Sequence, residues 1–454
     1  MKRVMADSSK DIVTRALAEA KRAGATEAEV MLERTRIMSV QVREAAPESV
    51  KQANRRGLGL RVFVDQKPAL VYTSDFRPEA LASIATKAVA LAKFGVSDIS
   101  NALAAPSGAY PDTARLKLFD PAIASMTPDA AQQLAIDTER AGLAADPRVK
   151  KSQGASCSAT RGETWIVNSK GIEATYESTA VALSTSMLAP DEGGKQQIGS
   201  DGDSQRELAK LRSPGQIGRE AAKRAGMLVG ARKVPTTRVP VLMHPDVAAG
   251  WIQNMFSAFS GEQVFKKASF LTEKRDQVIG SSLVTVIDDG TMVGAVGTAP
   301  FDAEGVPTQR LALLDKGTVR NFVYNTRWAI KAGAKSTGNA ARGYNSSPGI
   351  GSHNLYIENG TTPLDELMKS LDRAFYIVDT GAFGYQANTG GWSYQAKGYW
   401  MEKGVIVHPV AEVTLASDSL SMLKGVVKVA DDLVFSGSIN SPHLLIDEMT
   451  LSGS

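Results

Sequence analysis

The chain has 454 residues, of which 43% are hydrophobic and 22% charged, with a net charge of +4. These values exclude a disordered chain and indicate a folded protein of two or three domains, while a single cysteine, Cys157, excludes an internal disulfide and a cysteine-rich zinc site. No apolar run approaches the roughly 18 to 20 residues of a membrane span, and the first residues lack an apolar signal segment, so we expect a cytoplasmic protein without a membrane partner.

Residues 1–96 are predicted to form an N-terminal α+β domain. Asp7, Ser8 or Ser9 can cap a first helix, which has apolar residues at helical spacing and stops at Gly24. Alternating apolar residues favour strands at 28–33, 37–43, 57–64 and 69–73, and a second helix is predicted at 78–93. Residues 97–112 contain proline, serine and glycine and are predicted to be a linker.

Residues 113–235 are predicted to be a central α+β segment that packs with the N-terminal domain. A helix opens at Thr127-Pro128-Asp129 and ends near Ala144. Strands are predicted at 150–158 and 165–167, a long strand-like run at 172–187, an exposed loop at 190–205 and a basic helix at 215–229.

The stretch from Arg206 to Arg238 has nine basic residues against Glu207 and Glu220. It could contact nucleic acid or an acidic protein, or it could be a solvated helix face with basic residues near its C-terminal end. No aromatic residues are interleaved for base stacking, which favours the solvated face and makes nucleic acid an unfavoured partner.

Residues 239–454 are predicted to form a glycine-rich, mainly β C-terminal domain. A buried strand runs into an amphipathic helix between Val239 and Gly261. Further strands are predicted at 284–287, 375–378 and 405–407, and short helices at 364–374 and 420–428. The fold class predicted for the whole chain is α+β.

Several blocks of this third section resemble the TldD/PmbA family. Phe301-Asp302-Ala303-Glu304-Gly305-Val306-Pro307-Thr308 is similar to the family's Asp-x-Glu-Gly-x-Pro-Thr signature. The blocks at 336–342, 388–404 and 446–450 match in the same order, and Gly57-Leu58-Gly59-Leu60-Arg61-Val62 resembles the N-terminal strand. The resemblance covers nearly the whole chain.

The resemblance implies one half of a heterodimeric zinc protease that acts on unfolded peptides, historically linked to modulation of DNA gyrase. The family's catalytic subunit, TldD, holds zinc through two histidines of a His-Glu-x-x-x-His helix and a cysteine near its C-terminus, with the glutamate as general base. This chain resembles the other subunit, TldE or PmbA.

The catalytic positions carry other side chains here. Gln253 and Ala258 stand where the family pattern has histidines, Asn254 stands in place of the glutamate, and the cysteine-bearing loop is shortened to residues 435–442. A catalytic zinc needs three His, Cys or carboxylate ligands and a base, so we expect no catalytic residue and no metal in this chain. Zinc is expected in the partner subunit.

The spacing of the four histidines in the sequence does not predict a different metal site. His244, His353, His408 and His443 never recur at the i, i+4 spacing that places two on one helix face, and we expect no second histidine site. Short matches to serine-hydrolase and dinucleotide motifs are of a length that occurs by chance.

We therefore expect a non-catalytic subunit that lines a chamber and binds an extended peptide beside its catalytic, TldD-like partner. Residues of the matching blocks are the candidates for a peptide groove or interface: Asp302, Gly305, Thr308, Gly338, Asn339, Arg342, Thr389, Gly390 and Gly391. Two alternatives remain open at this point, a gyrase- or nucleic-acid-associated binding protein and a self-sufficient homodimeric hydrolase.

Overall fold

The fold was analysed in a computed structural model that describes residues 8–381 and 384–453. Within those ranges the chain is α+β, and none of the described helices is long and apolar enough to cross a membrane. Asp7, one of the three expected caps, lies outside the described residues.

The first section builds half of a six-stranded antiparallel sheet, covered on one face by two helices. Ser8 caps the first helix and forms a reciprocal capping box with Asp11, and Gly24 follows the helix at φ +101°. The apolar faces of both helices pack on the sheet. The elements are α1 (Ser9–Arg22), β1 (Glu27–Arg43), β2 (Ala46–Val64), β3 (Lys67–Thr73) and α2 (Pro78–Ala92).

The predicted linker at 97–112 is irregular but ordered against the rest of the chain. Leu103 and Ala104 are buried, Asn168 Nδ2 donates to the Ala104 carbonyl at 2.9 Å, and Tyr110 Oη donates to the Gly305 carbonyl at 2.9 Å. These contacts pack the segment against the central and third sections.

The second section continues the same sheet, which has the strand order β3-β2-β1-β4-β5-β6. Its helices cover the same sheet face further along the long strands. The elements are α3 (Thr113–Leu116), α4 (Pro121–Ala124), α5 (Pro128–Ala145), β4 (Lys151–Asn168), β5 (Glu173–Pro190), β6 (Gln196–Gln205) and α6 (Pro214–Met227).

The prediction of an exposed loop at 190–205 is wrong for most of this range. Residues Gln196–Gln205 pair with Val181–Pro190 as an edge strand. Aspartate and glycine are depleted in strands, which explains the prediction. Gly199 is required here because a Cβ at this position would lie 2.2 Å from the backbone nitrogen of Ala225 in α6.

Over its described residues, the third section contains three sheets, of five, two and seven strands, and the helix that carries two of the metal-site positions of the family pattern. Its core is one large cluster of buried side chains that includes Trp251, Phe259 and Phe375. The elements begin with β7 (Thr237–Met243), α7 (Pro245–Phe256), α8 (Gly261–Phe265), β8 (Val286–Asp289), β9 (Arg310–Asp315), β10 (Thr318–Val319), α9 (Thr326–Lys331), β11 (Ala340–Ala341), β12 (Gly349–Ile350) and β13 (Leu355–Ile357). They continue with α10 (Leu364–Lys369), β14 (Arg373–Thr380), β15 (Tyr385–Gln386), β16 (Gly391–Glu402), β17 (Val405–Asp418), α11 (Ser419–Gly425), β18 (Val426–Val429), β19 (Ile439–Asn440) and β20 (Leu444–Ser452).

Five strands of this section close into a ring. The pairings run β14-β7-β20-β17-β16, and β16 pairs back to β14. The helices predicted at 364–374 and 420–428 are shorter than expected, because Arg373 and Val426 already begin strands of this sheet.

Candidate functional site

The helix α7 forms because its first turn is capped and its apolar residues share one face. The side chain of His244 accepts from the backbone nitrogen of Asp246 at 3.2 Å, and Pro245 occupies the first helical position. Trp251 and Ile252 are buried in the core, and Trp251 Nε1 donates to Ser419 Oγ at 3.2 Å. Gln253 and Asn254, two of the metal-site positions of the family pattern, lie on α7 outside its fully buried face.

Those positions do not form a metal-binding group. Gln253 is exposed, and Asn254 is half-buried with its Nδ2 donating to Tyr394 Oη at 3.0 Å. Ala258 lies beyond the end of α7 in the 3₁₀ turn Ser257–Phe259 and is buried. Two amides and a methyl group do not fit a catalytic zinc, which takes imidazole, thiolate or carboxylate ligands.

The loop at 435–442 lies against α7, where the family pattern implies a third ligand. Its strand β19 pairs in parallel with β13 and packs on α7. Asn440 closes the loop by accepting from the Ser436 nitrogen at 3.0 Å and donating to the Gly437 carbonyl at 2.9 Å. The side chain of Asn440 therefore stabilises the turn of this loop.

The signature loop is a buried clamp. Asp302 Oδ1 accepts from the nitrogens of Glu304 and Val306, at 2.9 and 3.0 Å, and its Oδ2 accepts from the Ala340 nitrogen at 2.9 Å. Burial and the neighbouring Glu304 raise the pKa of Asp302 to about 7, although the three N–H donors oppose that change. Asp302 fixes the loop to the segment that contains Gly338 and Asn339.

Close backbone contacts explain the small residues of these blocks. Gly305 has φ +78°, and a Cβ there would lie 2.6 Å from Ile172 Cγ2. Gly338 has φ +74°, and a Cβ there would lie 2.4 Å from the Pro307 carbonyl oxygen. Thr308 Oγ1 donates to the Ala299 carbonyl at 2.5 Å, and Asn339 Nδ2 donates to Asp288 Oδ2 at 2.7 Å. These four residues pack within the third section and against the central one.

Arg342 joins the clamp to the six-stranded sheet through a buried network of charges. Arg342 pairs with Glu29 of β1, and its Nε donates to the Ala303 carbonyl at 3.0 Å. Arg61 of β2 bonds Glu29 at 3.1 Å and Glu304 at 3.0 Å. Each carboxylate therefore has a guanidinium partner, which buried charges require.

The remaining candidates lie on a turn at the edge of the third section's closed sheet. Thr389 is exposed, Gly391 is half-buried, and Gly390 is buried with φ +78°. The turn follows β15, which is the end strand of its sheet among the described residues. The nine candidates thus occupy two places, the buried clamp and this exposed turn.

Contrary to the expectation from sequence spacing, the fold brings two distant histidines together. The rings of His244 and His443 are 5.3 Å apart, and His244 lines a cleft of about 810 Å³ between α6, β6 and the third section. His443 Nδ1 lies 2.6 Å from Asp432 Oδ2, and its Nε2 lies 2.9 Å from Tyr376 Oη. Positions 244 and 443 carry no local signal of this contact.

The chemistry of this histidine pair is constrained by its neighbours. Both ring nitrogens of His443 have hydrogen-bond partners, and burial lowers the pKa of His244 to about 4. No group of three or more His, Cys, Asp or Glu side chains within residues 8–381 and 384–453 could hold a metal ion. His244 is therefore neutral at physiological pH, and its ring packs against that of His443.

The basic residues between Arg206 and Arg238 are mostly occupied inside the chain. Arg206 donates to the carbonyls of Val296 and Thr298, at 2.7 and 3.1 Å, which links the central section to the third. Arg224 pairs with Asp246, and Arg212 pairs with Asp201. These partners reduce the charge that the patch can offer to a polyanion.

Matches to known proteins cover almost the entire length of this chain. Residues 236–453 match the PmbA/TldA metallopeptidase C-terminal domain, residues 121–229 the central domain and residues 28–92 domain 1. A protein of Haemophilus influenzae named "Metalloprotease PmbA homolog" is 31% identical over 438 residues, which cover 96% of this chain and 94% of that protein. The "Metalloprotease PmbA" of Escherichia coli O157:H7 is 28% identical over 94% of this chain and 92% of its own.

The fold is shared with solved structures. The crystal structure of TldE from Thermococcus kodakarensis superposes with a TM-score of 0.89, over 97% of this chain and all of that one, at 21% sequence identity.

Proposed function

The chain belongs to the PmbA/TldD metallopeptidase family, and from that premise we propose that it is a non-catalytic, TldE-like subunit that acts together with a metal-binding, TldD-like catalytic subunit. The observation that carries the proposal is the set of side chains at the end of α7. Gln253, Asn254 and Ala258 lack the imidazole and carboxylate groups that hold zinc and deprotonate its water.

The packing around α7 supports a structural role for it. Trp251 and Phe259 fill the core, Phe256 packs against it, and Asn254 is held by Tyr394. The helix is thus stable without a metal ion, and its surface is available to form part of a chamber wall beside the partner's zinc.

A second part of the proposal concerns the peptide substrate. An extended peptide can add to the exposed edge of a sheet, where main-chain hydrogen bonds bind it with little dependence on sequence. The turn at Thr389–Gly391 and the end strand β15 offer such an edge in the described part of the chain. The buried clamp around Asp302 then serves to fix the sections that carry this edge.

Co-expression with a catalytic family member tests the proposal. We expect the two chains to co-purify as a heterodimer that cleaves an unfolded peptide, and the isolated chain to be inactive with or without added zinc. The double variant Q253A/N254A is expected to leave the activity of the pair within about twofold, because neither side chain takes part in the chemistry.

Failure of the two chains to associate would contradict the subunit role. A loss of activity in Q253A/N254A with an intact heterodimer would show that α7 of this chain takes part in the chemistry.

A further inference from the structure

A row of arginines lies on the covered face of the six-stranded sheet, between its two helix layers. On β1, Val30 and Leu32 pack under α1 and α2, while Met38 and Val40 pack under the helices of the central section. Side chains alternate along a strand, so Arg34 and Arg36 share this face and occupy the uncovered gap between the two layers. The strand is therefore apolar at both ends and cationic in the middle.

Neighbouring strands add cations at the same level. Arg56 of β2 is directly opposite Arg34, and Arg161 of β4 is directly opposite Arg36. Together with Glu163 and Glu177 they line a groove of about 350 Å³. We call the four residues Arg34, Arg36, Arg56 and Arg161 the arginine groove.

The positive charge of this groove is only partly compensated within the chain. Arg161 pairs with Glu177 at 3.1 Å, whereas Arg34 Nε lies 4.0 Å from Glu163 Oε2 and has no hydrogen-bond acceptor although it is buried. Among the described residues, Arg36 and Arg56 have no carboxylate within 4.0 Å. Arg55 also lines the groove, so five arginines share it with two carboxylates, and like charges opposite each other destabilise a sheet.

Aromatic rings pack against three of the four guanidinium groups of the arginine groove. Arg34 and Arg56 lie over the ring of Phe76, 5.8 and 5.3 Å from its centroid, and Arg161 lies 5.2 Å from the centroid of Phe119. Phe76 precedes α2 and Phe119 precedes α4, so one ring comes from each helix layer. Stacked arginines are pre-organised and lose less entropy on binding a ligand.

We propose that the arginine groove binds a small oligophosphate. Guanidinium groups bind phosphate oxygens in a bidentate manner, and the groove has the volume of a small-molecule site rather than of a protein interface. Adjacent strands are about 4.8 Å apart, so the cations on β2, β1 and β4 span about 10 Å. A chain of linked phosphates can bridge this distance, whereas a single monovalent anion cannot. The proposal is independent of the proposed subunit role.

Calorimetric titration of the full chain with tripolyphosphate tests this site. We expect saturable binding to the wild type, weakened at least tenfold in R36Q/R56Q and changed less than twofold in R238Q/R320Q. The second double variant is the matched control, because it removes two arginines that are exposed elsewhere and leaves the same net charge. Thermal unfolding of all three proteins without ligand checks that the substitutions preserve the fold.

Three results would overturn the proposal: no binding to the wild type, equal weakening by both double variants, or hexaglutamate binding as tightly as tripolyphosphate. If the first result is accompanied by binding of duplex DNA, the groove is part of a larger nucleic-acid surface instead.

Discussion

Individual side chains decide what α7 can do. The helix keeps the cap, the proline at its first position and the apolar face that place it in the core, but Gln253 and Asn254 present amides on its other face. The donor chemistry of these side chains could be read from the sequence. The hydrogen bond between Asn254 and Tyr394 could not, because the two residues are 140 positions apart.

His244 gives a prediction for the pH dependence of stability. Burial lowers the pKa of His244 to about 4, so the unfolded chain takes up a proton at a higher pH than the folded one. The stabilisation from the neutral ring is complete above about pH 6.5 and is lost as the pH falls toward 4. Between pH 7.5 and 5, we expect the free energy of unfolding of the wild type to fall by about 2 kcal/mol more than that of H244N.

Urea unfolding of the wild type and H244N at pH 7.5 and at pH 5 measures this difference in the free energy of unfolding. Asparagine is a suitable replacement because it also caps helices well. Parallel stability profiles of the wild type and H244N would mean that the ring is not buried in its neutral form.

At the scale of single elements, local patterns predicted most helices and missed the length of strands. The spacing of Ile12, Val13 and Ala16 and the serine cap located α1. β1 was predicted as two runs, since Arg34-Thr35-Arg36 interrupts its apolar pattern, yet pairing on both sides continues it for 17 residues. Residues 34–36 remain in the strand because they pair with β2 and β4, and the local sequence does not encode this pairing.

The signature loop gives a prediction at this scale. G305A adds a methyl group at φ +78° and 2.6 Å from Ile172 Cγ2, so it should destabilise the chain by about 2 to 4 kcal/mol. G250A is the control, because nothing lies within 4 Å of its Cβ on α7, and it should be neutral or stabilising by up to about 1 kcal/mol. Chemical denaturation measures both, and equal stability of G305A and wild type would contradict the clamp.

The buried ion pair between the sheet and the clamp is a second test at this scale. R342A removes one of the two guanidinium partners of the fully buried Glu29 and leaves Arg61, which should cost about 2 to 3 kcal/mol of the free energy of unfolding. R310A breaks an exposed pair with Glu358 and should cost less than about 1 kcal/mol. Similar losses in the two variants, measured by urea unfolding, would show that Arg342 is not in a buried network.

On the scale of the whole molecule, contacts between residues far apart in the chain could not be predicted from the sequence. Glu29 meets Arg342, His244 meets His443, and Arg206 reaches the carbonyls of residues 296 and 298. The order of predicted helices and strands indicated an α+β fold class, which the structure confirms. The domain limits at 96, 113, 235 and 239 and the groove residues remain predictions.

The central claim is that this chain contributes structure, and its partner the metal, to a shared peptidase. The most direct test measures zinc by mass spectrometry in the purified chain alone and follows cleavage of an unfolded peptide in the same sample. We predict far less than stoichiometric zinc and no cleavage, with activity appearing once a catalytic partner is added. One tightly bound zinc per chain together with chelator-sensitive cleavage would contradict the account.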